Sequence, residues 1–217
     1  MHVLAINGSP RKKWNTATLL TKVLEGAAAR GASTELVHLY DLDYKGCTSC
    51  FACKLVDGPS NGRCAMQDQL RPVLERIETG VDALVLGSPI YFGQMTGEMR
   101  SFLERLLFAP LVYSQPPRAL FPRTIRTAVV YTMNVDAEQC ARLGYPAMFE
   151  ATETVLDRVF GIQPETLCCY DTYQFSDYGK VTMECMDPAR KAARRSSVFP
   201  EDCKRAVQLG QRLATAG

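Results

Sequence analysis

Short runs that are apolar almost throughout alternate along this chain with segments whose apolar residues recur at helical spacing, and few folds accommodate that alternation. Residues 2–6 (HVLAI) form the first such run and stop at the turn formers Asn7, Gly8, Ser9 and Pro10. Leu19, Leu20, Val23, Leu24 and Ala27 then mark a helix, with Asn15 or Thr16 as its cap and Gly31 behind it. The unit repeats. Residues 35–39, 82–87, 127–132 and 165–170 read as further strands. Between and after them, helical faces run on Leu70, Val73 and Ile77 behind a capping Asp68, on Met99, Phe102 and Leu106 after Gly97, on Leu156 and Val159 before Gly161, and on Ala206 and Leu213 after Pro200. Near-continuous apolar strands between amphipathic helices predict an α/β, doubly wound, five-stranded parallel sheet with helices on both faces.

The 217 residues, 47% hydrophobic, suffice for one sizeable core, so residues 1–217 read as a single domain. Two stretches fall outside the repeating unit: a cysteine-rich insertion around 40–67 and a polar C-terminal extension around 171–200. A formal net charge of +2 implies neither a nucleic-acid surface nor an acidic-membrane surface. The first apolar run is too short for a signal-peptide core, and no stretch approaches the roughly 20 apolar residues of a membrane span, so a cytoplasmic location is expected.

The first candidate site lies where strand one hands over to helix one. A helix amino terminus there offers unpaired N–H groups, Ser9, Asn15 and Thr16 add short donors, and Arg11 adds a fork for phosphate oxygens. Neither GxGxxG nor GxxxxGK[ST] is present, which argues against a dinucleotide fingerprint and an NTPase loop. The second candidate, Gly87-Ser88-Pro89-Ile90-Tyr91-Phe92-Gly93, follows strand three. In a sheet ordered 2-1-3-4-5 the topological switch lies between strands one and three, so both loops face one crevice. Tyr91 and Phe92 offer flat apolar surface for a planar ring. Thr132 and Asn134, at the next strand end, complete the candidate set.

GSPRKKWNT at 8–16, CTSCFACK at 47–54, GRCAMQDQL at 62–70 and GSPIYFGQMTGEMRSFLER at 87–105 together resemble the NADPH-dependent FMN reductase and iron–sulfur flavoprotein branch of the flavodoxin-like superfamily. DTYQFSDYGKV and VFPEDCKRA extend the likeness over nearly the whole chain. The resemblance implies a flavodoxin-like fold and FMN as cofactor, its phosphate on Ser9, Arg11, Asn15 and Thr16 and its ring against Pro89, Ile90, Tyr91, Phe92 and Gly93. It implies an NAD(P)H oxidoreductase that passes electrons through FMN to a quinone, flavin or other small oxidant. No catalytic side chain is then required, because the flavin does the chemistry. Trp14 stands where the family usually has glycine.

Cys47, Cys50 and Cys53 form a CxxCxxC run and Cys64 follows after a longer interval, a set that can hold an iron–sulfur cluster or zinc. The interval KLVDGPSNGR is longer than in the family's cluster-bearing members. The leading reading is therefore free or redox-active thiols with no metal. The alternative is a [4Fe-4S] cluster on Cys47, Cys50, Cys53 and Cys64, making the chain an electron carrier. His2 and His38 read as structural strand residues. A bare flavin crevice excludes water poorly, so a homodimer or homotetramer is expected, with Phe51, Tyr170, Tyr173, Phe175 and Tyr178 of the two insertions as candidate interface aromatics.

Overall fold

The computed structural model describes residues 1–215; the last two residues of the 1–217 reading lie outside the described residues. In chain order its first half holds β1 (His2–Asn7), α1 (Asn15–Ala28), β2 (Ser33–His38), α2 (Arg71–Thr79), β3 (Ala83–Tyr91), β4 (Gln94–Met95) and α3 (Gly97–Phe108). Then come β5 (Leu111–Val112), β6 (Arg118–Ala119), β7 (Arg126–Thr132), α4 (Ala137–Arg142), α5 (Tyr145–Phe160), β8 (Glu165–Cys169), α6 (Pro188–Ser197) and α7 (Phe199–Leu213).

The five long strands are parallel in the order β2-β1-β3-β7-β8, which is the expected 2-1-3-4-5 arrangement. Side-chain alternation sends Leu4, Ile6, Leu84, Leu86, Val129 and Tyr131 to the face covered by α2, α3 and α5. Val3, Ala5, Val85, Ala128 and Val130 point to the face covered by α1 and α7. Each fully buried Val, Leu or Ile stabilises the fold by about 1.5–3 kcal/mol relative to exposure, so two covered faces make the sheet the stable centre of the chain.

Several expectations are corrected. A sixth strand, β4, folds back antiparallel on β3, and β5 pairs with β6 in a separate hairpin. The third strand does not stop at Gly87 but continues through Tyr91, because its pairing with β7 runs on to Pro89 and Thr132 and β4 then takes over. The second strand begins at Ser33, opposite His2, and ends at His38. Neither Asn15 nor Thr16 caps α1: Trp14 holds that position in extended backbone with no capping side-chain bond. Asp68 sits two residues before the cap position, Leu70, and accepts from the Leu70 amide at 3.1 Å before the helix begins at Arg71. Two helices beyond the expected five, α4 and α6, start at Asp136 and Asp187, whose carboxylates accept from the Gln139 amide at 2.8 Å and the Ala189 amide at 2.9 Å. Both follow the ordinary acidic N-cap rule, which the polar surroundings had obscured.

The helices α1 and α7 pack with their backbones in near contact at two glycines. A Cβ on Gly210 would run into the Val23 carbonyl, and one on Gly26 into the Val207 carbonyl. Substituting Gly210→Ala must push α7 off the sheet or strain its path, and overpacking of this kind costs about 1–3 kcal/mol or more. Urea denaturation of Gly210→Ala is expected to show that loss, and an unchanged midpoint would refute the packing account.

Candidate functional site

The chain crosses from β1 to α1 on one face of the sheet and from β3 to α3 on the other, so a crevice opens between the carboxyl ends of these neighbouring strands. One backbone bond ties its walls, the Gly8 amide donating to the Gly87 carbonyl at 2.8 Å. Thr96 adds a second tie: its hydroxyl donates to the Gly8 carbonyl at 2.7 Å and accepts from the Met99 amide at the start of α3.

The 8–16 loop is stiffened from within. Ser9 donates its amide to Asn7 Oδ1 at 3.0 Å and accepts the Arg11 amide on its hydroxyl at 3.1 Å. Asn7 is held in turn by His38 at 2.8 Å, and burial lowers the His38 pKa, so this histidine serves the loop as a neutral structural group. The Arg11 guanidinium lies 3.6 Å from the Trp14 ring centroid, and Thr16 meets Thr132 hydroxyl to hydroxyl at 2.7 Å. The amino terminus of α1 has no side-chain cap and no acidic residue in its first turn. Uncapped amide donors and the positive end of the helix dipole therefore face the crevice, an arrangement that suits an anion.

Ser9, Arg11, Asn15, Thr16, Pro89, Ile90, Tyr91, Thr132 and Asn134 all line this one crevice. Phe92 and Gly93 do not. They form the turn between β3 and β4, and Phe92, with a left-handed φ of 51° and its ring fully exposed, borders a neighbouring groove with Leu143 and Tyr145. Tyr91 is 44% exposed, so neither aromatic plugs the core. His2 bonds Ser33 across β1 and β2, a structural role as expected.

Trp14 and Met133, which lie in the two expected loops but were not among the candidate residues, line the same crevice, as do Thr172 and Gln174, which were missed in the sequence reading. Thr172 and Gln174 belong to the C-terminal extension, which folds back over the 8–16 loop. Arg11 Nη1 donates to the Gln174 carbonyl at 2.6 Å and Asn15 Nδ2 to the Tyr173 carbonyl at 2.8 Å. The buried Lys191 of α6 fixes the extension in place, donating to Asn134 Oδ1 at 2.7 Å and pairing with Asp171 at 2.5 Å. Tyr173 and Phe175 pack against the buried Tyr178, and Tyr170 against the core, so these aromatics cover their own chain. The only signal for this in the sequence was the unusual length of the polar run after β8.

The four clustered cysteines line a single second pocket beside α3. Two cations build it. Arg105, whose side chain is wholly buried, donates from Nε to Cys64 Sγ at 3.2 Å and pairs with Asp68. Burial raises the Asp68 pKa, but the hydrogen bond and charge of Arg105 outweigh it and hold the carboxyl below its usual range. Lys54 caps the carboxyl end of α3 through the Ala109 and Leu111 carbonyls at 3.1 and 2.5 Å. Burial pushes the Cys53 thiol up. Among the described residues, no three Cys, His, Asp or Glu side chains converge as they would around one metal ion. A larger cleft beside this loop shares no residue with the β1–β3 crevice, and its basic residues Arg63, Arg71 and Arg105 are paired with Glu78, Glu75 and Asp68.

Comparison with known proteins agrees with this architecture. An iron–sulfur flavoprotein of Archaeoglobus fulgidus is 39% identical over 105 residues, 48% of this chain and 48% of that one. An iron–sulfur flavoprotein of Methanocaldococcus jannaschii is 32% identical over 105 residues, 48% and 51% of the two chains. The match thus spans about half the length of these curated relatives. Among solved structures, an NAD(P)H:quinone oxidoreductase of Methanothermobacter marburgensis superposes with a TM-score of 0.69 over 98% of both chains at 16% identity. An FMN-dependent NADH-azoreductase of Bacillus anthracis, in complex with FMN, gives a TM-score of 0.66 over 99% of this chain and 100% of its own at 12% identity. These superpositions establish the flavodoxin-like fold. Residues 1–133, more than half of the chain and the part that builds both loops of the crevice, match the sequence model of the NADPH-dependent FMN reductases, and the chain belongs to that family.

Proposed function

We propose that this chain is an FMN-dependent oxidoreductase that takes electrons from NAD(P)H and delivers them to a small oxidant such as a quinone or a free flavin. One observation carries the reading: the uncapped α1 terminus, Arg11, the β3 segment Pro89–Tyr91 and the β7 end converge on one crevice at the topological switch. The donor set fits a flavin mononucleotide. Arg11 and the first-turn amides of α1 suit a terminal phosphate, Thr16 and Thr132 suit the polar chain, and Pro89 to Tyr91 offer a flat wall to the ring. When bound, the flavin supplies the hydride and electron chemistry.

The protein's own part is to bind, orient and exclude water. The Gly8–Gly87 bond keeps the two loops at fixed separation, and the extension covers the phosphate end through Tyr173 and Gln174. Tyr91 remains partly exposed at the other end, leaving an approach for nicotinamide and acceptor. A second subunit covering that approach, in a dimer or tetramer, belongs to the same proposal.

Reconstituted protein is expected to release FMN, identified by mass, and to lose its flavin colour anaerobically on addition of NADPH or NADH. Only FAD, or no flavin after reconstitution, would defeat the reading. Arg11→Ala is expected to weaken FMN by about 1.5–3 kcal/mol, the loss typical of a charge-assisted hydrogen bond, and unchanged affinity would remove Arg11 from the site.

A second reading, an electron carrier with a [4Fe-4S] cluster on Cys47, Cys50, Cys53 and Cys64, draws support from the four residues lining one pocket, although among the described residues no three of them converge as they would around one metal ion. The long interval before Cys64 supports free thiols instead. Anaerobically purified protein is expected to show flavin bands without stoichiometric iron. About four irons per chain, with broad visible absorption beyond the flavin, would establish the carrier reading.

A further inference from the structure

A flavin phosphate brings close to two negative charges to the α1 amino terminus. Within residues 1–133 the cations near that terminus are Arg11, Lys12 and Lys13, of which both lysines are exposed and Lys12 is paired with Asp41. A further cation stands one hydrogen bond behind the crevice wall, from outside that stretch. Arg195 of α6 donates from Nη1 to Asn15 Oδ1 at 2.9 Å, and Asn15 is the first residue of α1 and is buried. The other two arginines of this helix are neutralised, Arg190 by Asp171 at 3.2 Å and Arg194 by Asp202 at 2.8 Å. Among the described residues, Arg195 and Arg11 have no carboxylate within ion-pair distance. Two uncompensated guanidinium groups therefore flank Asn15 at an uncapped helix terminus, a charge arrangement that an anion completes.

We propose that Arg195 is a specificity-determining residue of the flavin site, through which the C-terminal extension makes the chain select a flavin with a terminal phosphate over one without it. The inference rests on the FMN reading above. Two features equip Arg195 for the role. The Phe199 ring lies 4.0 Å from its guanidinium carbon, so the fork is set in place before any ligand arrives. Its bond to Asn15 Oδ1 also fixes the amide orientation, in which Asn15 Nδ2 donates to the Tyr173 carbonyl. The effect on the ligand is one of charge and of donor placement.

The test uses the full chain freed of flavin and titrated separately with FMN and riboflavin, read by flavin fluorescence. Wild type is expected to prefer FMN. Arg195→Ala is expected to weaken FMN about tenfold or more while changing riboflavin by less than about twofold, because only the phosphate meets the lost charge. Arg195→Lys, which restores the charge without the fork, is expected to recover part of the preference. An unchanged ratio of FMN to riboflavin affinity in Arg195→Ala overturns the proposal, as does an equal loss of both ligands in a variant whose circular dichroism matches wild type. If Arg195→Ala fails to fold, Arg195→Gln, which keeps a donor to Asn15 but no charge, decides by the same ratio. Wild type that binds no FMN would sink the FMN reading and this inference together, an outcome distinct from FMN binding with an unchanged ratio.

Discussion

The hydrogen bond from the Gly8 amide to the Gly87 carbonyl joins two chain segments that leave the sheet in opposite directions. It continues the parallel ladder of β1 and β3 one residue past the last paired position, after which α1 and α3 take the chain to opposite faces. The crevice is the gap those departures leave. Its dimensions are set by the strand spacing of the most buried part of the molecule, so the donors around it are held by the same burial that stabilises the fold. Thr96 reinforces this by linking the Gly8 carbonyl to the first turn of α3.

The rest of the site leans on that frame through buried charge. Lys191 is almost wholly buried and binds Asn134 and Asp171, joining α6 to the end of β7 and to the start of the extension. Leaving one partner of such a pair uncompensated typically costs about 3–5 kcal/mol, so the extension is held in one position over the 8–16 loop. Asp171 sits at a left-handed φ of 49°, a conformation that Asp tolerates better than most residues, and it turns the chain from β8 back across the crevice. The side chains on the 8–16 loop consequently answer to two parts of the sequence some 160 residues apart.

The cysteine loop is organised on different terms. Lys54 closes the carboxyl end of α3, where unpaired carbonyls and the negative end of the helix dipole favour a cation. Arg105 reaches out of α3 into the loop to bond Cys64 and the Lys45 carbonyl. The loop is therefore anchored by side-chain to backbone bonds on both sides of its pocket, and its shape follows from α3 and from the protein's own cations.

Much of this was legible in the residues. The apolar runs at 2–6, 82–87 and 127–132 read as buried strands and the turn formers after Ile6 as a strand end, so the doubly wound class and the first loop followed from local chemistry and the handedness of crossovers, whereas the order 2-1-3-4-5 was that of the flavodoxin-like class. The residues that read as phosphate and ring contacts mostly meet in one crevice for the same reason, since the two loops flank neighbouring strands. Long-range contact decided the rest. Nothing local in PIYFG distinguishes Tyr91 on the crevice from Phe92 in solvent, because the difference arises where pairing with β7 ends and β4 turns back. Gly210 read as an ordinary helix position, and only the crossing of α1 and α7 shows why a side chain does not fit there. Lys191 and Arg195 lay in a polar run for which no helix was expected, and their partners Asn134 and Asn15 lie 57 and 180 residues away. Sequence determines what each segment can become, whereas pairings between distant charged groups depend on how the finished faces meet, which only the tertiary structure decides.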